Sequence, residues 1–307
     1  MKLQKVCIHI GNKEDKCLFI FFFLYFLRKL FMKVALCVIG RLENLYAREY
    51  VEYYKKLGMD KIFIYDNNHK GEEHFEDVLQ DYVDEGFVKV INYRDRTNAS
   101  NIGNIQLQAY TECYKTYGKD FDYMCFFDFD EFLTFKEDID VKTYLERAHN
   151  CDAVLVNWMI FTDNNLIRYD DRPVTERFTT PMEFDRCIMY DFPENNHVKA
   201  IVKCGIEGLA YNLTPHAPSL TNQMRIYNGS LKYCGNTLFV KYTYDVAYIR
   251  HYTTKTLEEY VKKLDRGVPD RTKETFMATY NLARFFKYNE KTPEKIKFLN
   301  ENNYKMR

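Results

Sequence analysis

Short apolar runs alternate with stretches of helical periodicity in the first half of the chain. Val34–Ile39 is an apolar run bounded by Gly40, which predicts a buried strand. Leu42–Leu57 carries its apolar and aromatic residues at helical spacing and ends at Gly58, which predicts a helix. Lys61–Tyr65 predicts a second strand. Because a strand, a helix and a strand of these lengths form a parallel unit, we expect a right-handed crossover.

The same alternation continues towards the middle of the chain. Phe75–Val83 and Ile105–Tyr117 have helical spacing, and Val88–Tyr93 is a further strand-like run. The polar segment Arg94–Asn104 is expected to be a loop. Repeated strand–helix units are typical of a doubly wound, mostly parallel α/β sheet, which is therefore the predicted fold class.

The stretch Tyr123–Leu133 joins an apolar strand to a cluster of carboxylates. Its apolar run ends at Asp128, and Asp130 and Glu131 follow closely. In an extended backbone Asp128 and Asp130 point to the same side, so their charges repel unless a cation lies between them. Carboxylate oxygens suit Mg²⁺ or Mn²⁺, and open α/β sheets bind ligands at the carboxyl ends of their strands. We therefore predict a metal site at Asp128 and Asp130, supported by Glu131, with a solvated acidic loop as the alternative.

The second half of the chain has a weaker pattern. Ala153–Phe161 predicts a strand, whereas 168–235 is rich in turn residues and predicts a loop-rich region. Val246–Tyr252 predicts another strand, and Thr256–Glu259 has the sequence of a capping box at the start of a helix. The charged tail from Lys287 is expected to be frayed or solvated.

Residues 1–31 differ from the rest of the chain. The almost unbroken apolar run Cys17–Leu27 precedes Arg28-Lys29. The run is too short for a comfortable transmembrane helix and lacks the small-residue cleavage site of a secretory signal. Three interpretations stay open: a membrane-surface anchor through residues 17–31, a short signal-anchor, and sequence translated from an early start codon ahead of Met32-Lys33.

Composition and charge narrow the function classes. The chain of 307 residues carries 44 Lys plus Arg and 44 Asp plus Glu, so no overall field attracts nucleic acid and none is expected as a partner. Its nine cysteines occur singly, and Cys37 and Cys125 lie inside apolar strands, which favours a reducing, cytoplasmic compartment. No G-x-G-x-x-G motif follows the first strand, so a dinucleotide fingerprint is absent.

Three blocks of sequence, in order, carry a resemblance to a known family. They are Arg41-Leu42-Glu43-Asn44 with Arg48–Tyr53, Leu57-Gly58 and Ile64–Asn67; Phe127–Leu133; and His251–Tyr260 with Lys263 and Arg266-Gly267. These blocks resemble glycosyltransferases of families 2 and 92, whose motifs read Asp-x-Asp-Glu-Phe-Leu and His-Tyr-x-x-Lys-Ser-x-Glu-Glu-Phe. The resemblance covers roughly residues 33–267. One departure is Leu42-Glu43, where Asn-Glu is usual, so the donor contact of that Asn is in question.

The resemblance implies a GT-A fold, in which a Rossmann-like sheet precedes a loop-rich acceptor region. It divides the chain into the apolar segment 1–31, a nucleotide-sugar half at 32–135, an acceptor half at 136–270 and a helix or tail at 271–307. It further implies inverting transfer from a nucleotide-sugar, most simply a UDP-sugar, to a glycan or lipid-linked acceptor. Cell-surface polysaccharide or lipopolysaccharide synthesis at the inner face of the membrane is the expected setting.

The same hypothesis assigns roles to individual side chains. A Mn²⁺ or Mg²⁺ ion held by Asp128 and Asp130 neutralises a diphosphate leaving group. His251, at another strand end, is the expected third ligand, since neutral imidazole suits Mn²⁺; a structural hydrogen bond is its alternative role. Lys255 is expected to contact the donor phosphate. Asp66, at the end of the second strand, is expected to bind the ribose or base, with a turn cap as the alternative.

Inverting transfer also needs a carboxylate that deprotonates the acceptor hydroxyl. Asp163, which follows the Ala153–Phe161 strand, is the candidate, and Glu183 and Asp185 are others. An aspartate beside asparagines in a loop is commonly a turn residue, which is the alternative for Asp163.

Two further functions compete with sugar transfer. A phosphatase of the haloacid dehalogenase type also places Asp-x-Asp after a buried strand and would use Asp128 as its nucleophile. That class has Thr or Val where this chain has Phe132, and its motif lies near the start of the domain. A non-catalytic sugar-binding protein is the second alternative, although it would be expected to lose one of the carboxylates.

Overall fold

The computed structural model describes residues 31–96, 104–148, 151–183, 188–189, 192–219, 224–235, 240–267, 278 and 280–304. The strands of these residues are β1 (Val34–Gly40), β2 (Lys61–Asp66), β3 (Val88–Asn92), β4 (Tyr123–Phe126), β5 (Glu131–Phe135), β6 (Ala153–Ile160), β7 (Ile188–Met189), β8 (Phe192–Pro193), β9 (Val198–Lys203), β10 (Ile226–Asn228) and β11 (Ala247–His251). Their α-helices are α1 (Asn44–Lys56), α2 (Glu76–Asp84), α3 (Ile105–Tyr117), α4 (Val141–Arg147), α5 (Val174–Arg177), α6 (Leu257–Arg266), α7 (Leu282–Tyr288) and α8 (Pro293–Glu301).

One mostly parallel sheet organises the part of the chain that the structure describes. Its strand order is β3-β2-β1-β4-β9-β6-β11-β5, and β10 pairs with the start of β6. Strands β3, β2, β1 and β4 are parallel, β9 is antiparallel to β4 and β6, and β11 is parallel to β6. The predicted doubly wound, mostly parallel α/β fold class is confirmed. The carboxyl ends of β1, β2, β4, β6 and β11 share one edge, at which antiparallel β9 and β5 begin; we call it the carboxyl edge.

The periodicities of residues 34–117 predicted the elements of that region within one or two residues. Helix α1 shows why: Ala47, Tyr50, Val51 and Tyr54, at helical spacing, are its buried residues. The capping box at the start of α6 is also confirmed, since the Thr256 hydroxyl and the Glu259 carboxylate each hydrogen-bond the other's backbone N–H.

The prediction of one strand ending at Asp128 missed a change of strand. Residues 123–135 form two strands: β4 ends at Phe126, and β5 begins at Glu131, beside β11 at the far end of the strand order. We call residues 127–130 between them the crossover. Its carboxylates therefore belong to a turn that joins two separate strands, rather than to the end of one extended strand.

Helix α1 and strand β1 hold the crossover in place. The Tyr50 hydroxyl donates to the Phe127 carbonyl at 3.1 Å, and the Tyr54 hydroxyl donates to the Glu131 carbonyl at 2.8 Å. The Phe129 ring lies against Gly40, where a Cβ atom would be only 2.5 Å from ring carbon Cε2. The glycine that ends β1 therefore leaves the space that the central aromatic residue of the crossover occupies.

The expectation of a frayed tail was wrong for residues 292–301. Thr292 caps α8 through its side chain, Pro293 opens the helix, and Phe298 and Leu299 are buried. The buried Lys295 ammonium also pairs with Asp163, which follows β6, and so ties this helix to the sheet. No helix of the described residues has the length and apolarity needed to cross a membrane. Residues 1–30 lie outside the described residues, so the interpretations of the apolar segment stay predictions.

Candidate active site at the carboxyl edge

The crossover carries two aspartates that meet different strands. Asp128 lies beside β9, and the Lys199 ammonium donates to its Oδ2 at 2.8 Å. Its Oδ1 accepts hydrogen bonds from Gln106 at 2.8 Å and from the Tyr110 hydroxyl at 3.2 Å, both on α3. One face of the aspartate remains open, since its side chain is 35% exposed although that of Lys199 is 1% exposed.

Glu131 lies behind this pair and is fully buried. Its Oε2 accepts the backbone N–H of Asp128 at 3.0 Å and is 3.3 Å from the Lys199 ammonium. Burial raises the pKa of Glu131 above its ordinary value, and the adjacent Lys199 ammonium opposes that rise. Burial lowers the pKa of Lys199, but Asp128 and Glu131 together raise it above its ordinary value, so the ammonium stays charged.

Asp130 faces the other side of the site, beside β11 and α6. Its Oδ2 accepts from the Lys263 ammonium at 3.0 Å, and its Oδ1 is 3.7 Å from His251 Nε2. Burial raises the pKa of Asp130, but nearby positive charge, first that of Lys263, lowers it well below its usual value. Burial lowers the pKa of His251 to about 3, so its imidazole is neutral at pH 7.

Asp130 and His251 form a donor pair that suits a divalent cation. Adjacent ligand atoms of an octahedral ion with bonds near 2.1 Å are about 3 Å apart, somewhat less than the separation seen here. Carboxylate oxygen and neutral imidazole nitrogen are suitable ligands for Mn²⁺. Asp128 does not join the pair in a compact cluster: among the described residues, the three potential ligand atoms that gather within 4.8 Å belong to Asp66, His74 and Glu76.

Three cations adjoin Asp130, one just before α6 and two in its last turn; we call Lys255, Lys263 and Arg266 the cation cluster. Lys255 is buried, and its ammonium is 3.8 Å from the centroid of the Tyr46 ring. It makes no ion pair within the part of the chain that the structure describes, and burial lowers its pKa. Arg266 donates to the carbonyls of residues 41 and 42 at 2.8 and 2.9 Å and pairs with Glu43.

Asp66 ends β2 at the same edge, next to β1. Its Oδ2 is 2.7 Å from Arg94, and its Oδ1 accepts from the Asn68 side chain at 2.7 Å. The buried carboxylate therefore orders the turn after β2 while lying on the strand ends where a nucleoside is expected.

Asp163 follows β6, and its carboxylate makes a buried ion pair. Its Oδ2 is 2.5 Å from the Lys295 ammonium of α8, and its Oδ1 accepts the backbone N–H of Asn165. These contacts anchor α8 to the sheet. A catalytic base would instead have its carboxylate open to an acceptor. Glu183 is exposed, and Asp185 lies outside the described residues.

Sequence reasoning did not identify the aromatic wall around Trp158. The ring centroids of His251, His197 and His216 lie 4.3, 4.9 and 5.4 Å from that of Trp158. Burial lowers the pKa of His216 to about 3 and also lowers that of His197, so these rings are neutral. The three histidines are far apart in sequence. His197 directly precedes β9 and His251 ends β11, and the pairing of these two strands with β6 brings both residues to Trp158.

Lys199 was also missed as a site residue. It is a charged residue among the buried apolar residues 198–202, and that interruption was the available signal. Its partner Asp128 is 71 positions away, so local pattern did not connect them.

Comparison with known proteins places most of the chain in one family. The sequence model of glycosyltransferase family 92 matches residues 33–284. No curated protein matches the chain. A structure of S. aureus TarS residues 1–349 in complex with UDP is 16% identical over 45% of this chain and 38% of that chain, with a TM-score of 0.32. A second S. aureus TarS structure is 12% identical over 84% of this chain and 44% of that chain, with a TM-score of 0.37. The chain thus spans less than half of either structure, and likenesses this weak assign no function.

Proposed function

The chain belongs to glycosyltransferase family 92, and on that basis we propose that it transfers a sugar from a nucleotide-sugar donor to a glycan or lipid-linked acceptor. The observation that carries this proposal is the cation cluster at the carboxyl edge, beside Asp130. A nucleoside diphosphate leaves readily only when its charge is neutralised, and this edge is where open α/β sheets bind nucleotides.

The chain's own cations supply part of that neutralisation. Lys255 is buried without a carboxylate partner among the described residues, so its charge is available to a phosphate oxygen. Arg266 is held by two backbone carbonyls and Glu43, which fixes its guanidinium beside the end of β1. In this proposal both groups bind and orient the diphosphate, and Asp66 contacts the ribose or base.

We further propose a bound Mn²⁺ or Mg²⁺ ion with Asp130 and His251 as its ligand pair. Asp128, the third ligand expected from the sequence, lies outside that pair and would have to turn towards it to bind the ion. The ion would supply Lewis-acid stabilisation of the leaving diphosphate. Support comes from the Asp130–His251 donor pair and from the open face of Asp128. Glu131 and Lys199 hold the backbone and side chain of Asp128 in position from behind.

We also propose a UDP-sugar donor and inversion at the sugar carbon. The proposed setting is cell-surface polysaccharide synthesis at the inner face of the membrane. Inversion needs a base, for which the sequence proposes Asp163, and the ion pair with Lys295 makes that assignment the first to test. The family assignment gives no support to the phosphatase alternative.

The test is a nucleotide-binding titration. Melting temperature is measured with UDP, GDP and CMP, each with and without Mn²⁺, for the wild type and for Asp128→Ala/Asp130→Ala. Asp120→Ala, which removes an exposed carboxylate outside the site, is the matched control. We expect one nucleoside diphosphate to raise the melting temperature in the presence of Mn²⁺, in the wild type and the control but not in the double variant. The absence of any shift in the wild type would contradict the proposal.

A further inference from the structure

The Lys263 ammonium is hydrogen-bonded to Oδ2 of Asp130, the carboxylate whose Oδ1 faces His251 Nε2 and is the proposed metal ligand. It is 3.0 Å from Oδ2, and its other hydrogen bond is a longer one, 3.3 Å, to the Thr253 carbonyl. An ammonium and a dication that share one carboxylate repel each other, and the repulsion grows as the site is desolvated. Binding of a metal ion at Asp130 is therefore coupled to the position of Lys263.

We propose that Lys263 is an exchangeable counter-ion of the site: it neutralises Asp130 before a divalent cation binds, and it transfers to the donor diphosphate once the cation supplies that positive charge. The inference rests on the proposed function, because it presumes a cation and a diphosphate at this edge. Lys263 then acts as a positioning residue for Asp130 and as a phosphate-binding residue in turn.

The contrast with Lys199 supports this assignment. Lys199 is 1% exposed and lies between two carboxylates, so moving it would leave both Asp128 and the buried Glu131 without a counter-charge. Lys263 is 18% exposed and pairs with one carboxylate. Its flexible four-carbon stem allows the ammonium to move while the helix backbone stays in place.

The surroundings of Lys263 also fit its proposed contact with the donor diphosphate. It belongs to the same helix as Arg266, and Lys255 precedes that helix, so a diphosphate bound by those two groups would lie within the same cation cluster. A dication at Asp130 would repel the ammonium towards this anion. Removing the charge of Lys263 should therefore have opposite effects on the two ligands: tighter Mn²⁺ binding and weaker binding of the nucleotide.

The experiment measures Mn²⁺ binding without nucleotide, by electron paramagnetic resonance of free Mn²⁺, for the wild type, Lys263→Met and Lys263→Arg. We expect Lys263→Met to bind Mn²⁺ about tenfold more tightly, because one competing positive charge is removed, and Lys263→Arg to stay near the wild type. Lys262→Met is the matched control, since it removes the same charge from an exposed neighbour on the same helix. Lys263→Gln, which keeps a hydrogen-bond donor, replaces Lys263→Met if that variant does not fold.

The second measurement is the affinity, at saturating Mn²⁺, for the nucleotide that stabilises the wild type in the titration above. It should fall in Lys263→Met and stay unchanged in Lys262→Met. If folded Lys263→Met binds Mn²⁺ no more tightly than the wild type, the exchange is refuted while the proposed function stands. If the wild type binds no Mn²⁺ at all, the proposed metal site itself fails.

Discussion

The two aspartates of the crossover have opposite environments, although one residue separates them. Asp128 is the more exposed carboxylate, at 35% of its side chain, and has the more buried lysine. Asp130 is 15% exposed and has the more accessible lysine, Lys263. Asp128 is open to a ligand beside Lys199, whereas a cation at Asp130 competes with the charge of a more accessible ammonium. We therefore infer that the Lys199 ion pair is permanent and stabilises the fold, and that the Lys263 ion pair is exchangeable and serves binding.

The largest effect is expected from Lys199→Met, which breaks the ion pair between Lys199 and Asp128. This change leaves Asp128 and the fully buried Glu131 without their shared cation, so we expect the free energy of unfolding to fall by about 3–5 kcal/mol. Urea unfolding measures the change. Lys203→Met is the control, because Lys203 is exposed on the same strand. Adding Glu131→Gln should recover part of the loss, and a loss below that of the control would show that Lys199 is not a structural cation.

Asp163, another carboxylate after a sheet strand, should form a permanent ion pair like that of Lys199. Its 2.5 Å pair with buried Lys295 predicts that Asp163→Asn and Lys295→Met each lower the free energy of unfolding by about 3 kcal/mol. The transfer rate per folded molecule should be retained in both. A fall in kcat of about 10²-fold or more in Asp163→Asn alone would instead identify Asp163 as the catalytic base.

The Asp163 pair also marks the limit of what the sequence could predict. Strands β1 to β3 and helices α1 to α3 were predictable because their apolar residues repeat within each element. The crossover was not, since aromatic residues continue through Phe127, Phe129 and Phe132 and conceal the change from β4 to β5. Lys199 and Lys295 meet carboxylates that are distant along the chain, and such pairs depend on strand order and helix docking rather than on local periodicity.

A change that moves the backbone of the crossover should affect Asp128 and Asp130 together. In Gly40→Ala the new Cβ would approach the Phe129 ring to 2.5 Å, and that buried ring is already stacked on Phe75. We expect a loss of about 1–3 kcal/mol in the free energy of unfolding, together with weaker Mn²⁺ binding.

Gly118→Ala is the control for this change, because its Cβ would meet other atoms only at 3.8 Å or more. Phe129→Leu combined with Gly40→Ala should restore part of the stability, since the smaller side chain leaves room for the methyl group. Equal losses in Gly40→Ala and Gly118→Ala would mean that the contact with Phe129 does not constrain the crossover.

The smallest effect on stability is expected from a change at the start of α6. Thr256→Ala removes the hydroxyl that caps α6, the helix that carries Lys263, and should cost about 1 kcal/mol in urea unfolding, whereas Thr256→Ser should cost less. The cap orders the first turn, but Lys263 is one of the last residues of the helix and is held there by Asp130 and the Thr253 carbonyl. Mn²⁺ affinity should therefore stay near that of the wild type. A gain in Mn²⁺ affinity like that expected for Lys263→Met would show that the exchange depends on the folding of the whole helix rather than on one ammonium.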